Sequence, residues 1–457
     1  MNKLKSIVER LLPPILTTVL KRILRASPYR PERVALETPE HPQGAAILKE
    51  AWAHLDTTAS LSRVVQGIPA SERWTALLDR MRDDIRSFTT AQEAIRFGQS
   101  RLDFDHREPV EACAHLFQLH AETLRHEFPH FAHWLDALGD SAFSRPETMV
   151  QARGQLVSNV FFFHVRYVMQ CLTWVPQPEL VCEIGGGYGA PARLWLLNPA
   201  HRPKTYLIVD FPESLFFAEV FLKSNFDGLK VHYVADAKPL EPGFVKEHTV
   251  VLCPIHHVAA LGGLTLDLVV NTGSMQEMTA DWIDFWMAWL QRQDCRHFYS
   301  LNYFAQPLNY LAESGNTWAP RLTPEWTTRL AKSNPALVMQ QTTRNYAEIL
   351  AEKTGTAPTR AELQARYAAV RERVLDGQAL LECMDIVRHG AGEDVLWDLL
   401  QRAAELRTVP KEAYYLAESL TKNSSEAFRR EHGAKLTELF ARLQRVRAAG
   451  QENVYSA

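Results

Sequence analysis

The chain has 457 residues, 46% of them hydrophobic and 23% charged, with a formal net charge of −3. That length allows two or three domains with a sizeable core, and a balance so near neutral carries no nucleic-acid signature, so nucleic acid is not expected as a partner. The six cysteines (Cys113, Cys171, Cys182, Cys253, Cys295, Cys383) are scattered with no Cys-x-x-Cys pair, which argues against a disulfide framework or a zinc site and fits reduced thiols in a cytoplasmic protein.

Residues 1–34 form a basic amphipathic segment. Seven Lys/Arg stand against one acid in residues 1–30, and Leu4, Ile7, Val8, Leu11 and Leu12 recur at helical spacing before Pro13-Pro14. The apolar run is too short and too charged to span a bilayer. Such a segment either lies on the anionic inner face of a membrane or packs on its own protein.

Residues 35–150 read as a helical domain, with apolar residues three and four apart in Ala45–Leu55, Trp74–Phe88, Pro109–Glu127 and Phe131–Leu138. Within it, His126-Glu-Phe-Pro-His130 matches the His-Glu-x-x-His zinc pattern. That chemistry needs both histidines on one continuous helix, and Pro129 interrupts it. No metal is expected.

Residues 151–355 alternate strand and helix. The apolar helix Val157–Trp174 leads into strands at Glu179–Ile184, Tyr206–Asp210, Lys230–Val234, Leu266–Asn271 and Arg296–Tyr303. Helices are expected at Ser214–Ser224, Asp281–Gln291 and Pro324–Lys332, and a closing antiparallel pair at Ala336–Gln341 and Tyr346–Glu352. This is an α/β pattern, a Rossmann-like sheet of seven strands, mostly parallel, with ligands at the strand C-terminal ends.

The first strand ends in Cys182-Glu-Ile-Gly-Gly-Gly-Tyr-Gly189. Its Glu-x-Gly-x-Gly-x-Gly spacing resembles motif I of the class I methyltransferases that use S-adenosyl-L-methionine (SAM). Gly185, Gly187 and Ala190 also satisfy the dinucleotide pattern Gly-x-Gly-x-x-Ala. Asp210, 21 positions after Gly189, suits ribose hydroxyls in either class. Glu183 favours SAM, because a carboxylate works against a pyrophosphate and tolerates a sulfonium.

Three segments together resemble the sugar O-methyltransferase family of SAM-dependent enzymes: the glycine motif, Tyr206-Leu-Ile-Val-Asp-Phe-Pro-Glu213, and Leu268-Val-Val-Asn-Thr-Gly-Ser-Met-Gln-Glu-Met278. The resemblance covers residues 150–352, under half of the chain. It implies transfer of a methyl group from SAM to a hydroxyl of a sugar or glycan acceptor in surface-polysaccharide pathways. It implies that Glu183, Gly185, Gly187, Gly189, Asp210, Phe211, Asp236 and Asn271 hold the cofactor. Asn159, Arg166, Gln276, Asn302 and Tyr303 are the candidate acceptor contacts. Glu277 is the candidate general base, with His256 and His257 as alternatives. The competing readings are an NAD(P)-dependent oxidoreductase and a non-catalytic scaffold on a SAM-type fold. Residues 356–457 return to helix, with segments at Val395–Leu406, Lys411–Thr421 and Ser425–Arg447. They are expected to cover the sheet or to mediate assembly into a homo-oligomer.

Overall fold

The computed structural model describes residues 40–102, 121–303 and 322–371, with short interruptions at 59, 62, 146–148, 153–154, 199, 323–324, 334–345 and 356–358, and then 397–402 (apart from 399), 417 and 424–456. The chain divides into two units, one spanning Glu32–Pro358 and the other formed by the segments on either side of it.

The first unit opens with helix α1 (Gly44–Thr57), a short hairpin β1–β2 (Val64–Val65, Ile68–Pro69), α2 (Glu72–Ile85) and α3 (Ala91–Leu102). Ser71 caps α2 by accepting a bond from the Trp74 amide. Further on come α4 (Ala132–Ala137), hairpin β3–β4 (Val150–Ala152, Gln155–Val157) and α5 (Asn159–Trp174). Pro129 begins a short 3-10 turn after the helix that ends at Glu127, as its missing amide requires. Glu127 is turned to Arg166 on α5.

The sheet follows: β5 (Leu180–Ile184), α6 (Ala190–Leu196), β6 (Thr205–Asp210), α7 (Pro212–Asn225), β7 (Val231–Tyr233), α8 (Pro242–Lys246), β8 (Val250–Pro254), β9 (Thr265–Thr272), α9 (Ala280–Arg292), β10 (Asp294–Tyr303), β11 (Trp326–Ser333) and β12 (Tyr346–Lys353). Its strand order is β11-β12-β10-β9-β5-β6-β8-β7. Strands β7 to β10 run parallel in that order, and β12 joins β10 antiparallel, as does β11 to β12. The expected Rossmann-like, mostly parallel sheet is present, with eight strands instead of seven.

Two elements account for the difference. Val250–Pro254 is a fully buried strand. Its terminal proline reads as loop in the sequence, yet proline is tolerated at a strand end. Residues 326–333, expected as helix after Pro324, form β11 with a register shift at Thr328/Leu330; Thr327 and Thr328 are β-branched and suit a pleated edge. The expected strand Ala336–Gln341 lies outside the described residues.

Because β5 is flanked by β6 on one side and β9 on the other, the chain reverses direction of winding there, and a crevice opens beyond the strand ends. Helix α7 is buried along nearly its whole length, between the sheet and the N-terminal helices. A Cβ on Gly98 of α3 would stand 2.8 Å from the Phe217 ring, so the two helices cross at contact distance. Two carboxylates on α7 with no exposed surface pin this layer. Glu213 pairs with Arg63 (3.0 Å) and Arg82 (2.6 Å), and Glu219 pairs with His54 (2.8 Å) and Lys223 (2.6 Å). Removing one partner of such a pair costs about 3–5 kcal/mol, because the other charge is left buried.

In the second unit, α10 (Arg360–Arg371) and α11 (Glu426–Ser456) are described, with Trp397 stacked on His432 and edge-on to Phe428. Among the described residues no helix is long and apolar enough to cross a membrane. Residues 1–30, for which packing on the protein itself and contact with a membrane surface are the alternatives, lie outside them.

Candidate active site

The turn after β5 is built on left-handed backbone. Gly185, Gly187 and Gly189 have φ of 73°, 54° and 86°, values that L side chains resist. At Gly185 space is closed as well, since a Cβ would stand 2.2 Å from Ser274 Oγ. The Gly185 amide donates to the Val209 carbonyl at 2.8 Å, tying the turn to β6. The Gly187 amide donates to Asp210 Oδ2 (2.9 Å), and the Phe211 amide to Asp210 Oδ1 (2.7 Å). Gly189 stands at the N-cap of α6. Gly186, which the alternating pattern skips, is equally constrained: a Cβ there would meet Ile208 Cγ2 at 2.7 Å and Glu183 Oε2 at 3.0 Å.

Above this turn lies a cleft of about 370 Å³. Its floor is Glu183–Tyr188 with the end of β6, Val209–Phe211. One side is the segment Thr272–Thr279 after β9, apart from the buried Met275, together with His164 of α5 and Trp286 of α9. The opposite wall is N-terminal: Ser71, Trp74 and Leu77 of the α2 region, and Arg101 and Leu102 of α3. Phe211 stacks on Trp74 (centroids 6.2 Å, 26°) and meets Trp282 edge-on (6.5 Å). Trp282 donates its indole N–H to the Pro69 carbonyl at 2.9 Å, fixing the hairpin β1–β2 to α9. Neither this wall nor His164 stands out in the sequence, where both read as helix packing.

Two carboxyls line the floor near enough for the charge of one to act on the other. Glu183 is 1% exposed and accepts a bond from the Tyr206 hydroxyl at 2.9 Å. Burial pushes its carboxyl up to about 8; the Tyr206 bond opposes that, and the charge of Asp210 adds to it. Asp210 is pushed up to about 6, again mainly by burial, against the pull of the Phe211 and Gly187 amides. Glu183 therefore discriminates against an anion less simply than its letter in the sequence implies. A carboxyl raised in this way is harder to ionise than an exposed one.

Of the residues expected at the cofactor, Glu183, Gly185, Gly187, Asp210 and Phe211 all line this cleft. Asp236 does not. Strand β8 takes the place beside β6 and displaces β7 to the sheet edge, so the acid after β7 stands outside, exposed and paired with Lys238 at 3.1 Å. Ile255, after β8, lines the cleft in its stead. Asn271 is wholly buried and holds the neighbouring turn. Its Nδ2 donates to the Ile184 carbonyl (2.8 Å) and Ser274 Oγ (2.5 Å), and its Oδ1 accepts from the Met275 amide (3.2 Å).

Among the acceptor candidates, Gln276 lines the cleft. Asn302 sits behind it, fully buried, donating to Asn271 Oδ1 (2.8 Å) and accepting from the Gln276 amide (3.2 Å). Arg166 is core: it bonds Glu348 (2.9 Å) and Glu127 (2.8 Å), and Tyr299 donates to Glu348 (2.7 Å). Burial alone would lower its pKa, but the two carboxylates outweigh burial and raise it. Asn159 opens α5 and Tyr303 closes β10; their side chains lie outside the described residues. Glu277 lines the cleft, whereas His256 and His257, on the 3-10 turn after β8, are absent from its lining. Burial lowers the His257 pKa, with Asp236 opposing.

No protein-family model matches the chain, and no curated protein matches it. Solved structures similar to it include a tRNA m1A22 methyltransferase of B. subtilis (12% identity, 61% of this chain and 96% of the other, TM-score 0.31). Others are M. capricolum TrmK bound to S-adenosylhomocysteine (SAH; 10%, 59% and 90%, 0.28) and an rRNA methylase of Escherichia coli (12%, 73% and 99%, 0.30). Likeness at this level carries nothing about substrate or mechanism. It does correct one expectation. Enzymes named for tRNA and rRNA stand among the similar structures, against the expectation of no nucleic-acid partner. The sugar acceptor finds no support.

Proposed function

We propose that the cleft binds S-adenosyl-L-methionine and that the chain is a SAM-dependent methyltransferase. The reading is carried by the left-handed turn Gly185–Gly187, which is locked to Asp210 and lies beside a buried carboxyl. The glycine turn lets backbone come to within contact of a ligand with no Cβ in the way. Asp210 lies at the C-terminal end of β6, where an acid can accept from ribose hydroxyls. Phe211, backed by Trp74 and Trp282, offers an apolar face to a planar base. When bound, SAM supplies an electrophilic methyl group; the protein's part is to align it with a nucleophile and exclude water.

The competing dinucleotide reading is disfavoured at the same turn. A pyrophosphate needs several free amides where the helix begins, and Pro191 removes one of them in the first turn of α6. Transfer to oxygen is the finer part of the proposal. It rests on Glu277, a cleft-lining carboxylate that can take a hydroxyl proton. The reading assigns that role to Glu277 over His256 and His257, which do not line the cleft.

Calorimetric titration tests the cofactor. SAH should bind in the micromolar range, near −8 kcal/mol, with no heat from NADH or NADPH. Binding of a nicotinamide cofactor with silence from SAH would overturn the proposal. Tritium transfer from SAM to a panel holding tRNA, rRNA and hydroxyl-bearing small molecules then identifies the acceptor class.

A further inference from the structure

Glu183 is placed for more than contact. It sits at the end of the central strand, 1% exposed, and lines the cleft. Among the described residues no cation pairs with it; Arg101 and Glu277 line the same cleft, but the groups that act on the Glu183 carboxyl are Tyr206 and Asp210. From β6 it faces the Tyr206 hydroxyl at 2.9 Å and, further along, the Asp210 carboxyl. From α5 it faces Cys171, a buried thiol, and His164 lines the same cleft. Beside it in β5 is Cys182, also a buried thiol. From β9 its register partner is the apolar Val270, and the next residue, Asn271, is a neutral amide already bonded to Ile184 and Ser274. Gly186, the glycine that the alternating pattern skips, leaves room for the carboxyl, since a Cβ there would press on Oε2 at 3.0 Å. A carboxylate so buried with only a hydroxyl donor is costly to ionise.

We propose that Glu183 is uncharged in the cofactor-free protein and ionises when a cation enters the cleft, so that cofactor binding is proton-coupled and selective for the sulfonium form. This rests on the SAM reading of the cleft and deepens it. The only bond broken is the carboxyl O–H, and its proton passes to the buffer. After methyl transfer the sulfonium charge is gone, the carboxyl takes a proton back from solvent, and the hold on the product weakens. The burial-driven rise of Glu183 to about 8 is consistent with this arrangement.

The test is calorimetry of SAM and SAH in phosphate and in Tris between pH 6.25 and 7.25, with wild type, Glu183→Gln and Tyr206→Phe. The dependence of the observed heat on buffer ionisation enthalpy counts the protons released. Wild type should release close to one proton per SAM and fewer per SAH. SAM affinity should strengthen by up to about tenfold per pH unit, the limit for one linked proton. Glu183→Gln should abolish the release and flatten the slope. The ligand's own amino group, near 7.7–8.0 in model compounds, titrates alike against both proteins and cancels in the comparison. Tyr206→Phe removes a bond that favours the ionised form, so its release should persist and its affinity rise should move to higher pH. SAM binding with no buffer dependence in wild type would overturn the proposal, as would release unchanged in Glu183→Gln. Silence from both SAM and SAH would instead sink the cofactor reading on which it rests.

Discussion

The floor and the outer wall of the cleft are made in opposite ways. The floor is local: an apolar strand, then glycines in left-handed conformation, then an acid at the end of the next strand that catches the Gly187 amide at 2.9 Å. The wall is non-local. Ser71, Trp74 and Leu77 reach the cleft because Arg63 and Arg82 hold Glu213 of α7, 150 residues from Arg63, and because Trp282 clasps Pro69. The floor thus fixes what ligand shape is admitted. The wall depends on buried charge pairs and should be lost as a unit when one is broken.

The sharpest way to break this contrast is at Glu213. Glu213→Gln takes the carboxylate from Arg82 and leaves Arg63 with Asp79 alone, and should cost about 3 kcal/mol or more of stability in urea denaturation. A loss under 1 kcal/mol would mean that the wall is held by apolar packing alone. Next is Gly185→Ala, which meets both a positive φ and the Ser274 hydroxyl. It should weaken SAH binding at least ~100-fold, about 2.7 kcal/mol, while the wall's contribution to unfolding stays intact. Trp74→Ala removes half of the stacked pair with Phe211 and should cost about 1 kcal/mol of SAH affinity. Asp236→Ala, outside the cleft and paired only at the surface, should change neither affinity nor stability by more than about 0.5 kcal/mol.

The floor also predicts a pH dependence of the wall-independent kind. Glu183 and Asp210 have folded values raised to about 8 and about 6, above the unfolded range near 4. The folded state therefore binds more protons than the unfolded one in that window, and stability falls as pH rises from about 4.5 to 8. The melting temperature of the cofactor-free protein should drop between pH 6 and 8.5, and less so in Glu183→Gln. An unchanged or rising melting temperature in wild type would remove the buried-acid description of the floor.

The same contrast explains what can be read from the sequence. Glu183, the alternating glycines and Asp210 declare themselves because each is a local consequence of strand, turn and strand end. Gly186 does not, since its constraint comes from Ile208 and the Glu183 side chain. Strand β8 is hidden by Cys253-Pro254, and its omission misplaced Asp236 by one strand. Arg166, Asn271 and Asn302 are polar letters near the motifs, but their spacing cannot tell a ligand contact from a buried group satisfied by Glu348, Ile184 or Ser300. Trp74 and His164 sit on helical stripes indistinguishable from core packing until the tertiary pairs around Glu213 and Trp282 are known.

Hydrogen exchange with and without SAH tests most directly that floor and wall form one cofactor site. Amides of residues 184–190 and of 70–78 should both slow on addition of SAH, while those of 231–236 at the sheet edge stay unchanged. Protection at 231–236 with none at 184–190 would contradict the site described above.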